Sequence, residues 1–138
     1  MQNSACFVGE MSLSDDKVSR IKDLVIFLVK KCRVQVFYFS SKNIFDNKIY
    51  SIISMLRKNN KTFSRVLILS STAKNFPDIF KRYEDYKMVD SSTYIEVEKC
   101  KVSFSTYTVV MTDGLLNDTS QSLYDFAKEN RKEIFVLN

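Results

Sequence analysis

Short apolar runs alternate along this chain with stretches that have the spacing of amphipathic helices. Residues 34–39 and 107–111 are rich in β-branched and aromatic side chains, which predicts strands. Before the first of these runs, Val18, Ile21 and Val25 recur at helical spacing. Strands that alternate with helices pair in parallel through right-handed crossovers. The pattern therefore predicts an α/β fold in which a mostly parallel sheet is covered by helices on both faces.

Five runs in total predict strands: residues 6–9, 34–39, 66–69, 107–111 and 134–137. The pattern weakens over residues 71–104, where we expect an irregular excursion followed by a helix that crosses back over the sheet. Within that stretch, residues 94–102 are compatible with either a helix or a strand. The chain has 138 residues and no internal repeat or linker-like segment, so a single three-layer domain over residues 1–138 is expected.

Two features of the composition exclude classes of chemistry. The chain has no histidine, which removes Ser-His-Asp and Cys-His nucleophiles and most catalytic metal sites. Its three cysteines, Cys6, Cys32 and Cys100, lie far apart, which argues against a zinc site and against a disulfide framework. We therefore expect no metal and no cofactor, and we expect Cys6 and Cys32 to act as small buried hydrophobes.

The charge of the chain limits the classes of partner that we expect it to bind. It carries 21 Lys and Arg residues against 16 Asp and Glu residues, a net charge of +5. The basic residues form several separate clusters near predicted helix ends, whereas a nucleic-acid surface would show one stripe with interleaved aromatics. The longest apolar run, residues 24–29, is too short to span a membrane, and residues 1–6 lack a secretion signal. The expectation is a cytoplasmic protein without nucleic-acid or membrane partners.

Small polar residues gather where the predicted strands end. In a doubly wound sheet the carboxyl ends of the strands share one edge, and ligands bind at that edge. The candidate ligand-binding residues there are Gly9, Glu10, Ser40, Ser41, Lys42, Asp46, Ser71 and Asp113. The same residue types also start helices and turns, so ordinary loop structure is the alternative.

The loop at residues 40–46 has the most specific pattern. It passes from a strand into a helix, so its backbone N–H groups and the helix amino terminus would face an anion. Lys42 would neutralise a phosphate there, or it is simply an exposed lysine. Asp46 is either a first-turn anion of the helix or a contact to a ribose.

A second candidate site is the run Tyr83-Glu84-Asp85-Tyr86. Two carboxylates flanked by phenols have the groups needed for general acid–base chemistry, with Glu84 as the candidate catalytic residue. Adjacent residues on a helix point about 100° apart, so a solvated helix face is the alternative.

Together these motifs resemble the SLOG superfamily of Rossmann-like domains, and within it the YpsA-like group. Members typically begin with Cys-x-x-Gly-His-Arg and continue, after the second strand, with a glycine-containing loop that leads into Phe-Asp. This chain has Cys6 and Gly9 in the first motif and Phe45 and Asp46 in the second. Residues 83–85 look like the group's Tyr-Glu-Asp stretch. The resemblance covers essentially the whole chain and implies a Rossmann-like fold.

The chain departs from the group at several motif positions. Glu10 and Met11 stand where members carry His-Arg, and Ser40 stands where their second loop has a glycine. Residues 97–98 fall where members carry Arg-Asn. Thr119 and Ser120 fall where members carry Gly-Thr at the start of the last helix, which makes both candidate ligand-binding residues by correspondence.

The resemblance implies a site for nucleotides or nucleotide-derived signals. Some relatives, the LOG enzymes, hydrolyse a ribose–base bond with an arginine and a glutamate. The arginine has no counterpart here, which argues against an enzyme; an active protein would hydrolyse a nucleotide N-glycosidic bond with Glu10, Glu84 or Asp85 as its carboxylate. We expect a binding module for a nucleotide-like or other small polar ligand, with an altered pocket at the carboxyl edge of the sheet. The alternative is a non-catalytic interaction protein or homodimeric scaffold, for which eleven phenylalanines and seven tyrosines would supply contact surface.

Overall fold

Six strands form one sheet in the computed structural model of this chain, which describes residues 2–40, 43–71 and 82–138. The strands are β1 (Asn3–Glu10), β2 (Val34–Ser40), β3 (Ser64–Ser70), β4 (Asp85–Val89), β5 (Tyr107–Thr112) and β6 (Glu133–Leu137). Their order across the sheet is β4-β3-β2-β1-β5-β6, and every neighbouring pair is parallel. The predicted α/β fold with a parallel sheet is confirmed.

Four helices connect these strands in the described part of the chain. They are α1 (Asp15–Lys30), α2 (Ile44–Arg57), α3 (Tyr94–Phe104) and α4 (Asp118–Glu129). Each follows a polar N-cap whose side-chain oxygen accepts a hydrogen bond from the backbone N–H three residues later. The caps are Ser14, Asn43, Thr93 and Asn117. No helix among the described residues is long and apolar enough to cross a membrane.

The two faces of the sheet bury separate apolar clusters. Successive residues of a strand point to opposite faces. Ala5 and Phe7 of β1 therefore contribute to the cluster under α1 and α2, whereas Cys6 and Val8 contribute to the cluster under α3 and α4. This arrangement gives the expected three layers, and it confirms that Cys6 is a fully buried small hydrophobe.

The order of the strands reverses at β1. The chain moves outward from β1 through β2 and β3 to β4, and then returns to β5 on the other side of β1. The helices that follow β1 and β5 cover opposite faces of the sheet. The loops after these two strands consequently separate and leave a crevice at the carboxyl ends, which is where open α/β sheets bind ligands.

One strand, β4, was not expected from the sequence. It pairs with β3 over five residues. The first of them, Asp85, belongs to the run at residues 83–86, for which a solvated helix face was the alternative prediction. β4 lies at the edge of the sheet and four of its residues are exposed, so Asp85 and Lys87 stand where a central strand would be apolar. The helix expected to cross back over the sheet is confirmed as α3.

Gly9 has a conformation and a neighbour that exclude a side chain. Its φ is +93°, and a Cβ at this position would lie 2.2 Å from the carbonyl oxygen of Met111 on β5. We predict that Gly9→Ala lowers the free energy of unfolding by about 3 kcal/mol or more, because backbone strain and a backbone clash add.

Gly114→Ala is the matched control for this prediction. Gly114 also has a positive φ, +148°, but no described atom lies within 4 Å of its Cβ position, so the cost should be about 1 kcal/mol. Urea unfolding measures both variants. Equal losses would contradict the role assigned to the contact with Met111.

Candidate functional site

A cavity of about 290 Å³ opens at the carboxyl ends of the central strands. Gly9 and Glu10, at the end of β1, form one side of it. The rest of the wall comes from the first turns of α2, α3 and α4, through residues that include Asn43, Tyr94 and Thr119. The cavity therefore lies in the crevice that the strand order creates beside β1.

Three helix amino termini meet at this cavity. Asn43 and Asn117, the N-caps of α2 and α4, line it together with Tyr94, the first residue of α3. The first N–H groups of a helix have no partner within the helix, and the helix dipole places partial positive charge there. The partial positive charge of three helix starts therefore lies close to the cavity, which suits oxygen atoms of a ligand.

Acidic and basic side chains add fixed charge around these donors. Glu10 lines the cavity and also borders a neighbouring cavity of about 430 Å³, which Lys48 and Asp113 line as well. Asp113 is held in place because its Oδ2 accepts a 2.7 Å hydrogen bond from the backbone N–H of Ser12. Both cavities are lined by Glu10, Ile44 and Phe45, so they lie side by side, and we call the pair the groove.

Three charged side chains are buried next to the cavity. The Nζ of Lys101 lies 2.8 Å from Asp46 Oδ2 and 3.1 Å from Glu98 Oε2. The side chains of these residues are at most 1% exposed. We call Asp46, Glu98 and Lys101 the buried triad. Glu98 is its one member that contributes to the cavity wall.

Polar neighbours tie the buried triad to the wall. Ser40, at the end of β2, donates its backbone N–H to Asp46 Oδ2 at 2.9 Å and its hydroxyl to Glu98 Oε2 at 2.7 Å. Asn43 donates its side-chain amide to Glu98 Oε1, and the Tyr94 hydroxyl donates to the same oxygen at 3.1 Å. Two wall residues, Asn43 and Tyr94, are therefore oriented by Glu98.

The burial and the charges of the triad shift its pKa values. Burial raises the pKa of Asp46 to about 6, although the ammonium of Lys101 opposes the shift. Burial alone would raise the pKa of Glu98, but Lys101 and the hydrogen bonds from Ser40 and Asn43 outweigh it, so that pKa lies below its ordinary value. Burial alone would lower the pKa of Lys101, yet the two carboxylates hold it above its ordinary value.

The structure brings together most of the ligand-binding residues expected from the sequence. Gly9, Glu10, Thr119 and Ser120 line the first cavity, and Asp113 lines the second. Ser40 and Asp46 are buried among the triad contacts, so Asp46 contacts the protein core and not the open groove. Its backbone N–H is capped by Asn43, as a first-turn residue requires.

Of the three remaining expected residues, Ser71 is the one that the structure describes, and it lies away from both cavities. Ser71 follows β3 and donates its backbone N–H to the carbonyl of Val89 at 2.9 Å, on the side of the sheet toward β4. It is not part of the wall of either cavity. Ser41 and Lys42 lie outside the described residues.

Glu84, the candidate catalytic carboxylate, lies at the opposite end of the sheet. It precedes β4 and pairs with Arg65, near the start of β3, at 2.7 Å, and with Arg57 at 3.2 Å. Burial alone would raise the pKa of Glu84, but hydrogen bonds from Arg65 outweigh it and hold that pKa below its ordinary value. This arrangement is an ion pair that joins α2 to β3, remote from the cavity.

Sequence reasoning missed the side chains that organise the site. Glu98 and Lys101 lie on the buried side of α3 together with Val102, where apolar residues are the norm. Two opposite charges three residues apart on the face that carries Val102 are a signal that could have identified the triad. Asn43 and Asn117 could have been found as N-caps from the helical patterns that follow them.

No group of three or more His, Cys, Asp and Glu side chains that could hold a metal ion occurs in residues 2–40, 43–71 and 82–138.

Removing the ammonium of the buried triad should destabilise the fold strongly. Lys101→Met leaves two buried carboxylates without their cation, and breaking a buried pair in this way costs about 3–5 kcal/mol of unfolding free energy. Lys99→Met is the control on the same helix, since the partly exposed ammonium of Lys99 lies over the ring of Phe126 and forms no ion pair with a described residue. It should cost less than about 1 kcal/mol. Urea unfolding that gave similar losses for both variants would contradict the triad's structural role.

Neither a scan against protein-family models nor a comparison with curated proteins finds a match to this chain.

Proposed function

We propose that this chain binds a nucleotide-like or other small polar ligand in the groove at the carboxyl ends of β1 and β5. The observation that carries the proposal is the convergence of three helix amino termini on one cavity at the point where the strand order reverses. Unpaired N–H groups of helix starts bind phosphate and carboxylate oxygens, and this position in the fold is where ligands bind in open α/β sheets.

The side chains of the groove fit the parts of a nucleotide. Tyr94 is 45% exposed and its hydroxyl is anchored to Glu98, so its ring is held in a fixed position where a base could stack. Glu10 is an acceptor for ribose hydroxyls, and Lys48 supplies a cation in the adjoining cavity. Acceptor, aromatic face and cation are the groups that recognise a sugar, a base and a phosphate.

We also propose that this chain is related to the SLOG superfamily, which it resembles in sequence. The parallel sheet and the cavity beside β1 support it, as do the positions of Gly9, Thr119 and Ser120 on the cavity wall. The side chain of Glu98 falls near the group's Arg-Asn position and takes part in the buried triad. We therefore propose a diverged member whose pocket is organised by an internal ion pair.

Ligand binding should raise the stability of the protein. A nucleoside or nucleotide present at 100 times its Kd should increase the free energy of unfolding by about 2.7 kcal/mol, which a thermal-shift panel detects as a higher Tm. Thr119→Trp, on the exposed first turn of α4, fills the cavity and should abolish this increase.

Ser122→Trp is the matched control, because Ser122 is exposed on the same helix but outside the cavity wall. It should keep the increase in Tm. A panel of nucleosides, nucleotides and sugar phosphates that leaves the Tm of the wild-type protein unchanged would refute the proposed function.

A second candidate function, self-association, is favoured by the edge of the sheet at β6. Among the described strands β6 has a neighbour on one side only, and its Val136 is 56% exposed. Phe27 of α1, itself 45% exposed, packs edge-on against Phe135 of β6. Apolar residues on an open edge favour pairing with a second copy.

Sedimentation velocity tests this second function. If β6 mediates a dimer, Val136→Lys should convert it to a monomer, because the charge would be buried between the copies. Met55→Lys should not, since Met55 is similarly exposed, at 55%, but lies on α2. A wild-type protein that sediments as a monomer at every concentration would exclude the scaffold function.

A further inference from the structure

The hydroxyl of Ser40 lies between two buried carboxylates. Its Oγ is 2.7 Å from Glu98 Oε2 and 3.1 Å from Asp46 Oδ2. A serine hydroxyl has one hydrogen and can donate it to only one of the two. The shorter distance assigns that hydrogen to Glu98. The contact between Ser40 Oγ and Asp46 Oδ2 is then a repulsion between lone pairs unless Asp46 Oδ2 carries a proton and donates it to Ser40 Oγ.

A count of donors points to the same residue. Glu98 accepts hydrogen bonds from Ser40, Asn43, Tyr94 and Lys101. Asp46 Oδ2 accepts from the backbone N–H of Ser40 and from Lys101, whereas Asp46 Oδ1 is buried without any hydrogen-bond partner among the described residues. With both carboxylates ionised, the triad would carry a net charge of −1 in the core, which is costly.

We infer that the buried triad takes up one proton, on Asp46, as the pH falls through the mildly acidic range, and that this proton strengthens the binding of anionic ligands in the cavity beside it. The second half of the inference rests on the proposed function. The physical link is charge: protonation changes the triad from −1 to neutral, and Glu98 of the triad forms part of the cavity wall.

The other described titratable groups around Asp46 do not gain or lose a proton in the same pH range. Burial raises the pKa of the Cys6 thiol on β1 to about 11, and burial also raises the pKa values of Tyr94 on α3 and of Tyr83 before β4, so all three stay neutral below pH 8. Because the chain has no histidine, ordinary side chains do not titrate between about pH 5 and pH 7.

The sign of the effect on stability follows from the direction of the shift. The pKa of Asp46 is raised to about 6 in the fold, above the unfolded value of about 3.9. Its contribution to stability is therefore complete below the unfolded value and is lost as the pH rises through about 6. The lowered pKa of Glu98 has the opposite effect on stability, because its contribution is lost as the pH falls below the ordinary range of a glutamate. The effects of Asp46 and Glu98 therefore occur in different pH ranges.

The proton is tested without any ligand. Carboxyl-carbon NMR of the wild-type protein should show one aspartate that titrates near pH 6, and Asp46→Asn should remove that titration. The Tm of the wild-type protein should be about 5 °C higher at pH 5.2 than at pH 7.4, relative to Asp46→Asn measured in the same way. Asp23→Asn, at an exposed position on α1, should behave as the wild type. A spectrum without a carboxyl titration between pH 5 and 7 would overturn the inference.

The link to binding is tested by calorimetry with two probes of constant charge. Cyclic AMP is a phosphodiester whose charge does not change between pH 5 and 7.4, and adenosine is its neutral counterpart. The wild-type protein should bind cyclic AMP about tenfold more tightly at pH 5.2 than at pH 7.4, the effect expected for one nearby charge in a protein interior. Adenosine should change less than twofold, and Asp46→Asn should bind cyclic AMP equally at both pH values.

The outcomes separate the inference from the proposed function. Binding of cyclic AMP with one affinity at both pH values in the wild-type protein would overturn the link and leave the proposed function standing. Absence of binding of both probes at either pH would overturn the link as well as count against the proposed function.

Discussion

The ammonium of Lys101 holds the carboxyl edge of this fold together. It reaches Asp46 on α2 and Glu98 on its own helix, and through them Ser40 at the end of β2. Desolvation of three charges opposes this arrangement, and only the mutual attraction and the added hydrogen bonds make it stable. Helices on opposite faces of the sheet are thereby joined at one point, since α2 covers one face and α3 the other.

This ion pair also explains why the groove has a defined shape. Glu98 accepts hydrogen bonds from Asn43 and Tyr94, and both contribute to the cavity wall. Asn43 in turn caps α2 through the backbone N–H of Asp46. The cap, the wall and the buried charges therefore form one connected hydrogen-bond network, in which each member restricts the rotamers of the next.

Much of the fold was accessible from the sequence, because central strands and amphipathic helices follow simple periodicities. Residues 34–39 and 107–111 are apolar because both of their faces are covered. β4 could not be predicted in this way, because an edge strand with charged residues has no apolar periodicity to detect. The location of the groove was also predictable, because parallel strands end at one edge, where Gly9 and Glu10 end β1 and Asp113 follows β5.

The interior of the site was not predictable for a different physical reason. Lys101 is a residue type that is almost never fully buried unless it is paired, and one of its two partners, Asp46, lies on α2, far from Lys101 in the chain. A local pattern cannot reveal that Asp46 and Lys101 meet across the sheet's edge. For the same reason the sequence predicts for Asp46 either a first-turn role or a ribose contact, and it cannot show that two arginines pair with Glu84.

The close approach of Gly9 to the carbonyl of Met111 limits how this groove can change in evolution. Where the two main chains touch, no side chain fits at residue 9, so Gly9 contributes only peptide atoms to the cavity wall. Any change in the side chains of the wall must then come from Glu10 and from the opening turns of α2, α3 and α4, where Ile44 and Thr119 are exposed.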